Sequence, residues 1–250
     1  REAVIAANAS PGPDSIVVPA GTYALSVQGG DEALAATGDL DLTDDVTIEG
    51  AGSANTIIDA ANSPPATDRV FEILGSSVSV ELTGLSIRNG YTYLLAANED
   101  GGCIRSEGSL ELSDVAISGC ATPGSGGAIA SFGSHLELHG STIDGNRSMA
   151  VGSGIVASGT VLIENSAVTQ NTTNDAGGTL DFSGDGLHLS QVTFAENRDN
   201  GLGDGDFGAV LLRAGDVTIE DSTFRSNDRA LHVLGGSVAL SRSALADNRA

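Results

Sequence analysis

The stretch Leu136-Glu-Leu-His-Gly-Ser-Thr-Ile143-Asp-Gly-Asn146 contains the pattern that decides the fold. Two apolar residues flank a polar one, a third apolar residue follows five positions later, and Asn comes three residues after that. The pattern returns at residues 161–171, 187–197, 217–227 and 238–248, and earlier copies begin at Val46, Val80 and Leu110. From Val80 onward the steps between copies are 30, 26, 25, 26, 30 and 21 residues, so the chain is built from repeats.

A second signature lies between the copies, where small residues precede an aliphatic one. It reads Gly-Gly-Cys-Ile at 101–104, Gly-Gly-Ala-Ile at 126–129, Gly-Ser-Gly-Ile at 152–155 and Gly-Gly-Thr-Leu at 177–180. Each repeat therefore holds three short strands with a two-residue period, and Gly or Asn marks the bends. A two-residue period inside a period of about 25 residues predicts an all-β, right-handed, single-stranded parallel β-helix, a solenoid with three short strands per coil.

The coil predicts columns of equivalent residues, because each turn rises by one strand spacing of about 4.8 Å. Apolar residues fill the inward columns, one of which runs Ile87, Ile117, Ile143, Val168, Phe194, Phe224, Leu245. The Asn column has a structural interpretation: stacked amides hydrogen-bond along the axis and satisfy the backbone of the bend. Residues 2–8 form a short helical pattern that predicts a capping helix. We assign residues 1–45 to this cap and the first coil, and residues 46–250 to one continuous domain with an uncapped C-terminal end.

The composition excludes several classes of function. There are 11 basic residues, all Arg, against 33 acidic ones, which gives a net charge of −22. Such a chain repels phosphate groups, so we expect no nucleic-acid partner. No apolar run reaches the roughly 20 residues of a spanning helix, so we expect no membrane insertion. The hydrophobic content of 40% argues against disorder.

A Glu/His cluster is the strongest candidate site on the coils. Glu81, Glu111 and Glu137 fall in one outward column, where stacked like charges call for solvent, a proton or a cation. His139 and Glu164 lie beside this column. Three interpretations stay open: a solvated stripe, a cation site, or an acid–base site. If the chain is an enzyme, the reactive groups on this hypothesis are Glu111, Glu137, His139, Glu164, Asp181.

The loops supply further candidates. Asp199, Asp204 and Asp206 lie in a Gly-rich segment that suits Ca²⁺, although Asp and Gly are also ordinary turn residues. Tyr91 and Tyr93 offer a stacking surface for a glycan, or they pack their loop onto the coils.

Two cysteines, Cys103 and Cys120, are too few for a disulfide scaffold and do not match a metal-binding spacing. A bridge between them across neighbouring coils is geometrically reasonable in an exported protein. The alternative is that both are small buried residues.

The N-terminal segment Arg1-Glu-Ala-Val-Ile-Ala-Ala-Asn8, with Pro19-Ala-Gly-Thr-Tyr23, resembles the CSLREA-type region of secreted bacterial β-helix proteins, without its Cys-Ser-Leu. The repeats Gly126-Gly-Ala-Ile129, Phe194-Ala-Glu-Asn197 and Phe224-Arg-Ser-Asn227 resemble the GGAI and FxxN motifs of polymorphic outer membrane proteins. The resemblance implies a protein that is extracellular or on the outer cell surface, and often adhesive.

We therefore expect an exported structural or adhesive β-helix that assembles end to end into a filament. Its partners would be copies of itself, other surface proteins or glycans. No cofactor is required, and calcium is the candidate ion. The alternative hypothesis is a polysaccharide lyase or glycoside hydrolase of the pectate-lyase-like type, whose chemistry needs carboxylates with a base or Arg in a shallow groove.

Overall fold

The computed structural model describes residues 1–27, 29, 32–60, 68–92, 99–174, 177–200 and 208–249. The fold is the predicted right-handed parallel β-helix, preceded by the short helix α1 (Glu2–Ala9). The described strand pairs between successive coils are parallel. Most of them form three faces, which we call face 1, face 2 and face 3 in the order of the chain within a coil.

Face 1 and face 2 follow each other along every coil. Face 1 contains β1 (Asp14–Val17), β4 (Val46–Glu49), the first halves of β7 (Ser79–Arg88) and β9 (Ser109–Ser118), β12 (His135–His139), β16 (Thr160–Glu164), β20 (Gly186–Ser190), β24 (Asp216–Glu220) and β27 (Ser237–Ser241). Face 2 contains β2 (Gly21–Ala24), β5 (Thr56–Asp59), the second halves of β7 and β9, β13 (Thr142–Asp144), β17 (Ala167–Thr169), β21 (Thr193–Ala195), β25 (Thr223–Arg225) and β28 (Ala244–Ala246).

Face 3 completes the coil. It contains β3 (Leu40–Leu42), β6 (Phe71–Ile73), β8 (Ile104–Ser106), β11 (Ile129–Ser131), β15 (Ile155–Ala157), β19 (Gly178–Phe182), β23 (Gly208–Leu212) and β26 (Leu231–Val233). A narrow fourth ladder lies between face 2 and face 3, made of β10 (Ala121–Thr122), β14 (Arg147–Ser148), β18 (Thr172–Thr173) and β22 (Arg198–Asp199). The sequence analysis did not predict this ladder, nor that β7 and β9 run through the bend as ten-residue strands.

The register between coils is the one that the repeat alignment predicts. Ile143, for example, pairs with Ile117 on one side and with Val168 on the other. The inward columns are buried at almost every coil, and Phe194 and Phe224 stack with their ring centroids 5.0 Å apart. Because each buried aliphatic or aromatic side chain contributes about 1.5–3 kcal/mol, these columns are the main source of stability.

The outer surfaces of the faces differ in exposure. Strands of face 1 alternate between buried and half-exposed residues, as in β12 and β16. On face 3, however, β19 and β23 are buried at all five positions. Part of the outer surface of face 3 is therefore covered, and it holds the largely buried ion pairs of Glu72 with Arg69 and Arg105.

The predicted stacking of Asn amides is confirmed. The side-chain amide of Asn146 donates to Asn171 Oδ1 at 3.0 Å, and the backbone N–H of Asn146 donates to the same oxygen. The amide of Asn171 also donates to the carbonyl of Ile143 at 3.0 Å. The same arrangement continues through Asn197, Asn227 and Asn248. Since four of these five residues are buried, the amides satisfy backbone groups at a bend where water cannot.

Helix α1 lies over the first coil and contacts β1 and β3, with Val4 and Ala7 buried. A mainly apolar cavity of about 310 Å³ lies between it and the first coils. Arg1 fixes this region, because its guanidinium donates to the carbonyl oxygens of Ala35, Thr37, Gly38 and Asp39 at 2.5–3.2 Å. Residues 32–38, which we call the cap loop, are thereby held against the outer surface of face 3.

Cys103 and Cys120 form a disulfide bond, with their Cα atoms 5.5 Å apart. Both residues are buried, and Cys120 occupies the position that Asn takes in later coils: its backbone N–H donates to Asn146 Oδ1 at 3.0 Å. Of the two alternatives drawn from the sequence, the bridge is the one that the structure contains.

Among the described residues, no helix has the length and apolar character that crossing a membrane would require.

The Asn ladder gives a first prediction. Asn171→Ala leaves the buried N–H groups of Asn146 without an acceptor and the carbonyl of Ile143 without its amide donor, and each such loss costs about 1–3 kcal/mol. We expect the free energy of unfolding, measured by denaturant titration, to fall by several kcal/mol.

The matched control is Asn248→Ala in the last coil, where water reaches the half-buried position. Its effect should be clearly smaller. Equal losses in the two variants would contradict the proposal that burial makes this ladder stabilising.

Candidate functional site

Strands β9, β12 and β16 assemble the predicted Glu/His cluster on face 1. Their register places Glu111 beside Glu137, and His139 beside Glu164. The inward neighbours Leu136 and Leu138 are fully buried, so the strand pleat directs Glu137 and the two histidines of β12 outward. The outward columns of face 1 are thus confirmed in their register.

Glu137 lies at the centre of the cluster. Its two carboxylate oxygens contact His135 Nε2 at 2.9 Å and His139 Nε2 at a shorter distance. The other ring nitrogen of His139 lies 3.4 Å from Glu164 Oε2. Potential ligand atoms of Glu111, Glu137 and His139 all lie within 4.8 Å of one another. Acidic and imidazole side chains from three successive coils therefore form one connected group.

The electrostatics of the cluster favour an ionised Glu137. The hydrogen bond from His135 lowers the pKa of this carboxyl, partial burial opposes that effect, and His139 lowers the pKa further. The side chains of Glu137 and His139 are 22% and 33% exposed, so a ligand in solution can reach them. Chemically, the group can accept hydrogen bonds from hydroxyls, bind a cation or exchange protons at the imidazoles.

Two other predicted members lie outside this group. Glu81 is in the same column, but its carboxylate accepts hydrogen bonds from Thr47 and Thr83 at 3.3 and 3.4 Å. Asp181 lies on face 3, where it is buried and makes two hydrogen bonds of 2.7 Å with Arg213. Asp181 therefore does not join Glu111, Glu137, His139 and Glu164 in one reactive centre, because it belongs to a different face of the coil.

The loop candidates are only partly within the described residues. Tyr91 forms an isolated bridge with Ala121 and is half-buried, as in the interpretation that it packs its loop on the coils. Asp199 ends β22, and its N–H donates to Asp228 at 2.8 Å. Tyr93, Asp204 and Asp206 lie outside the described residues.

A second acidic cluster, which the sequence pattern did not predict, lies on the outer surface of face 3 beneath the cap loop. Asp39, Asp41, Asp68 and Glu72 are each no more than 8% exposed. Burial raises the pKa of Asp39 to about 9, and the charges of Asp68 and Asp41 add to this effect against Arg69. Burial likewise raises the pKa of Asp41 and of Asp68 to about 6.

A sequence signal for this second cluster does exist. Asp41, Glu72 and Arg105 occupy one outward column of face 3, in register on three successive coils. The Gly-rich signature before the strands of face 3 was recognised only from residue 101 onward, so the column was not traced back to Asp41 and Glu72. Periodicity also does not show that the cap loop folds over it.

Comparison with known proteins concerns the fold. Residues 43–242 match the family described as "right handed beta helix region". Among solved structures, the chain is similar to rice weevil pectin methyl esterase, with a TM-score of 0.53 and 12% identity over 98% of this chain and 85% of that one. It is also similar to the catalytic domain of GH87 alpha-1,3-glucanase in complex with tetrasaccharides, with a TM-score of 0.46 and 11% identity over 92% and 54% of the two chains.

At these identities the structural likeness shows the fold alone. No curated protein matches the chain by sequence.

The raised pKa values predict how stability depends on pH. An unfolded Asp releases its proton near pH 4. In the absence of bound metal ions, the folded protein therefore keeps, between pH 4 and the raised pKa values, protons that the unfolded chain has lost. The stabilisation that these protonated carboxyls give to the folded state is fully present below pH 4. It is lost as pH rises through about 6 for Asp41 and Asp68 and through about 9 for Asp39. The melting temperature in chelator-containing buffer should therefore fall over this range.

General repulsion among 33 acidic residues also grows with pH, so the comparison must be with Asp39→Asn. The variant should show a shallower fall between pH 6 and pH 9. Parallel curves for the variant and the unmodified protein would be the contrary result.

Proposed function

We propose that this chain, which belongs to the right handed beta helix family, functions as an exported structural and adhesive solenoid, outside the cell or on its outer surface. Its partners would be glycans, other surface proteins or copies of itself. We infer adhesion from the outer surface of face 1 and export from the disulfide bond between Cys103 and Cys120.

The observation that carries the proposal is the outer surface of face 1. From β7 to β24 the two outward columns of this face are half-exposed and, apart from Leu162, polar on every coil. The columns advance by about one strand spacing per coil, which makes an extended surface of regularly placed hydrogen-bonding groups. Such a surface suits an extended, repetitive partner, such as a glycan chain, better than a compact molecule.

The disulfide bond supports the proposed location. Disulfides persist in oxidising compartments and are rare in the cytosol of most organisms. Cys103 and Cys120 are the only cysteines of the chain, and both are used in this bond.

An enzyme that acts on polysaccharides is the second candidate function. The contacts of Glu137 with His135 and His139, next to Glu111 and Glu164, favour it, because such groups can serve as general acids and bases. Against it, the outward columns of face 1 carry no Arg in the described strands from β4 to β27, and Asp181 is committed to Arg213 on face 3.

A binding assay with the unmodified protein and Glu137→Gln separates these functions. We expect the unmodified protein to be retained on immobilised, fully methyl-esterified pectin or α-1,3-glucan. We also expect it to release neither methanol nor reducing ends from these glycans. Glu137→Gln should weaken retention several-fold, because the amide is a weaker acceptor for sugar hydroxyls than the carboxylate. The control Glu81→Gln changes the same column outside the cluster and should bind nearly as well as the unmodified protein.

Release of methanol or reducing ends that Glu137→Gln abolishes would establish the enzyme instead. Absence of retention on every glycan would contradict glycan adhesion.

We also propose end-to-end assembly, for which the last described coil offers an apolar surface. Leu240 and Leu245 are 44% and 47% exposed, whereas Ile219 and Phe224, their equivalents one coil earlier, are fully buried. At the other end, β1 and β2 pair on one side only among the described strands, next to helix α1. We propose that β27 and β28 of one copy pair with β1 and β2 of another. Because this contact joins two different surfaces, it extends into a filament.

Sedimentation velocity tests this assembly. We expect oligomers that grow with protein concentration, and a shift to monomer in Leu240→Asp and Leu245→Asp, which place charge in the proposed contact. Leu34→Asp is the control, since Leu34 is an exposed residue of the cap loop. A single monomeric species at all concentrations would contradict end-to-end assembly.

A further inference from the structure

The second acidic cluster has the geometry of an ion site. Asp39 directly precedes β3, Asp41 lies within it, and Glu72 of β6 pairs in register with Asp41. Carboxylate oxygens of Asp39, Asp41 and Glu72 lie within 4.8 Å of one another. Two oxygens bound to one Ca²⁺ at 2.3–2.6 Å are separated by at most about 5 Å. The three carboxylates are therefore close enough to share one ion.

Two buried oxygens of this group lack a hydrogen-bond partner among the described residues. Asp41 is fully buried: its Oδ2 accepts a hydrogen bond from the N–H of Ala35 at 2.7 Å, whereas its Oδ1 accepts none. Asp39 is 3% exposed, and its Oδ2 accepts none either, with Arg69 Nη1 at 3.6 Å. Buried polar atoms are nearly always paired, so these two oxygens point to a missing partner.

The arginines near the second acidic cluster do not neutralise the carboxylates of Asp39 and Asp41. Glu72 contacts both, with Arg69 Nη1 at 3.0 Å and Arg105 Nη1 at 2.9 Å. Arg105 also pairs with Glu107 at 2.9 Å. The guanidinium of Arg1 donates to carbonyl oxygens of the cap loop and of Asp39. Among the described residues, the carboxylate of Asp39 forms only the 3.6 Å ion pair with Arg69, and that of Asp41 forms none. Buried charges without a close counter-charge are costly.

We propose that Asp39, Asp41 and Glu72 bind a divalent, oxygen-seeking cation of the Ca²⁺ class beneath the cap loop. The donor set consists of carboxylates only, which suits hard cations, whereas sites for Zn²⁺ normally include His or Cys. The ion supplies the partner for Asp41 Oδ1 and Asp39 Oδ2. It also neutralises the repulsion among carboxylates on two successive coils.

The role of this ion is structural. Its ligands come from the first two coils of face 3, and Asp41 also accepts the N–H of Ala35 in the cap loop. Because the ligands are covered by the cap loop, the ion fixes this loop and the N-terminal coils together and does not contact substrates. This site is separate from the Glu/His cluster on face 1, so the inference does not depend on the proposed adhesion.

The experiment uses the full chain after chelator treatment, with CaCl₂ as the probe. Isothermal titration calorimetry should show one tight site, and the melting temperature should rise with CaCl₂ concentration, since a ligand that binds only the folded state stabilises it. Asp41→Asn should lose both the tight site and the rise in melting temperature. Glu137→Gln, which changes the exposed cluster, should keep both.

Retention of the tight site in Asp41→Asn, or its loss in Glu137→Gln, would overturn the proposal. An absence of tight binding by the unmodified protein would overturn it too, since protons would then balance the buried carboxylates. If Asp41→Asn does not fold even without ion, Asp39→Asn serves in its place. It changes the neighbouring ligand and leaves the hydrogen bond from Ala35 to Asp41 intact.

Discussion

The structure depends on one constraint: each coil must place its inward side chains directly over those of the coil before. Parallel pairing fixes this register on all three faces, and the Asn ladder fixes it at one bend. From Asn146 to Asn248, the backbone N–H and the side-chain amide of each Asn both donate to the Oδ1 of the next Asn, at 2.9–3.1 Å. A shift of one residue would turn apolar side chains outward and separate the stacked amides. The core, the surface columns and the Glu/His cluster all follow from this register.

For this reason the sequence was sufficient to predict much of the molecule. The apolar spacing around Ile143 gives the coil, and the coil places Glu111, Glu137, His139 and Glu164 on neighbouring strands of one face. These predictions use only residues inside the repeat. They succeed because a solenoid converts a separation of about 25 residues in sequence into direct contact in space.

The sequence was insufficient where contacts leave the repeat. Asp181 was predicted as a reactive group together with the Glu/His cluster, yet its partner Arg213 follows the next strand of face 3, 32 residues later. Asp39 and Asp41 are buried because the cap loop folds back over them, and the loop is held there by Arg1 from the start of the chain. Neither contact has a period, so a repeat alignment carries no information about it. The resemblance at Arg1-Glu-Ala did not indicate this role of the arginine.

The bond between Cys103 and Cys120 also has a mechanical consequence. It closes β8 and β9 into a covalent ring that contains most of one coil. A solenoid pulled by its ends unwinds coil by coil, and each released residue adds about 3.4 Å of length. The segment between the two cysteines, which are 17 positions apart in sequence, cannot contribute to this extension. Under tension the coils on either side can unfold independently, while the disulfide-closed segment keeps its length. The neighbouring coils can then refold against this segment.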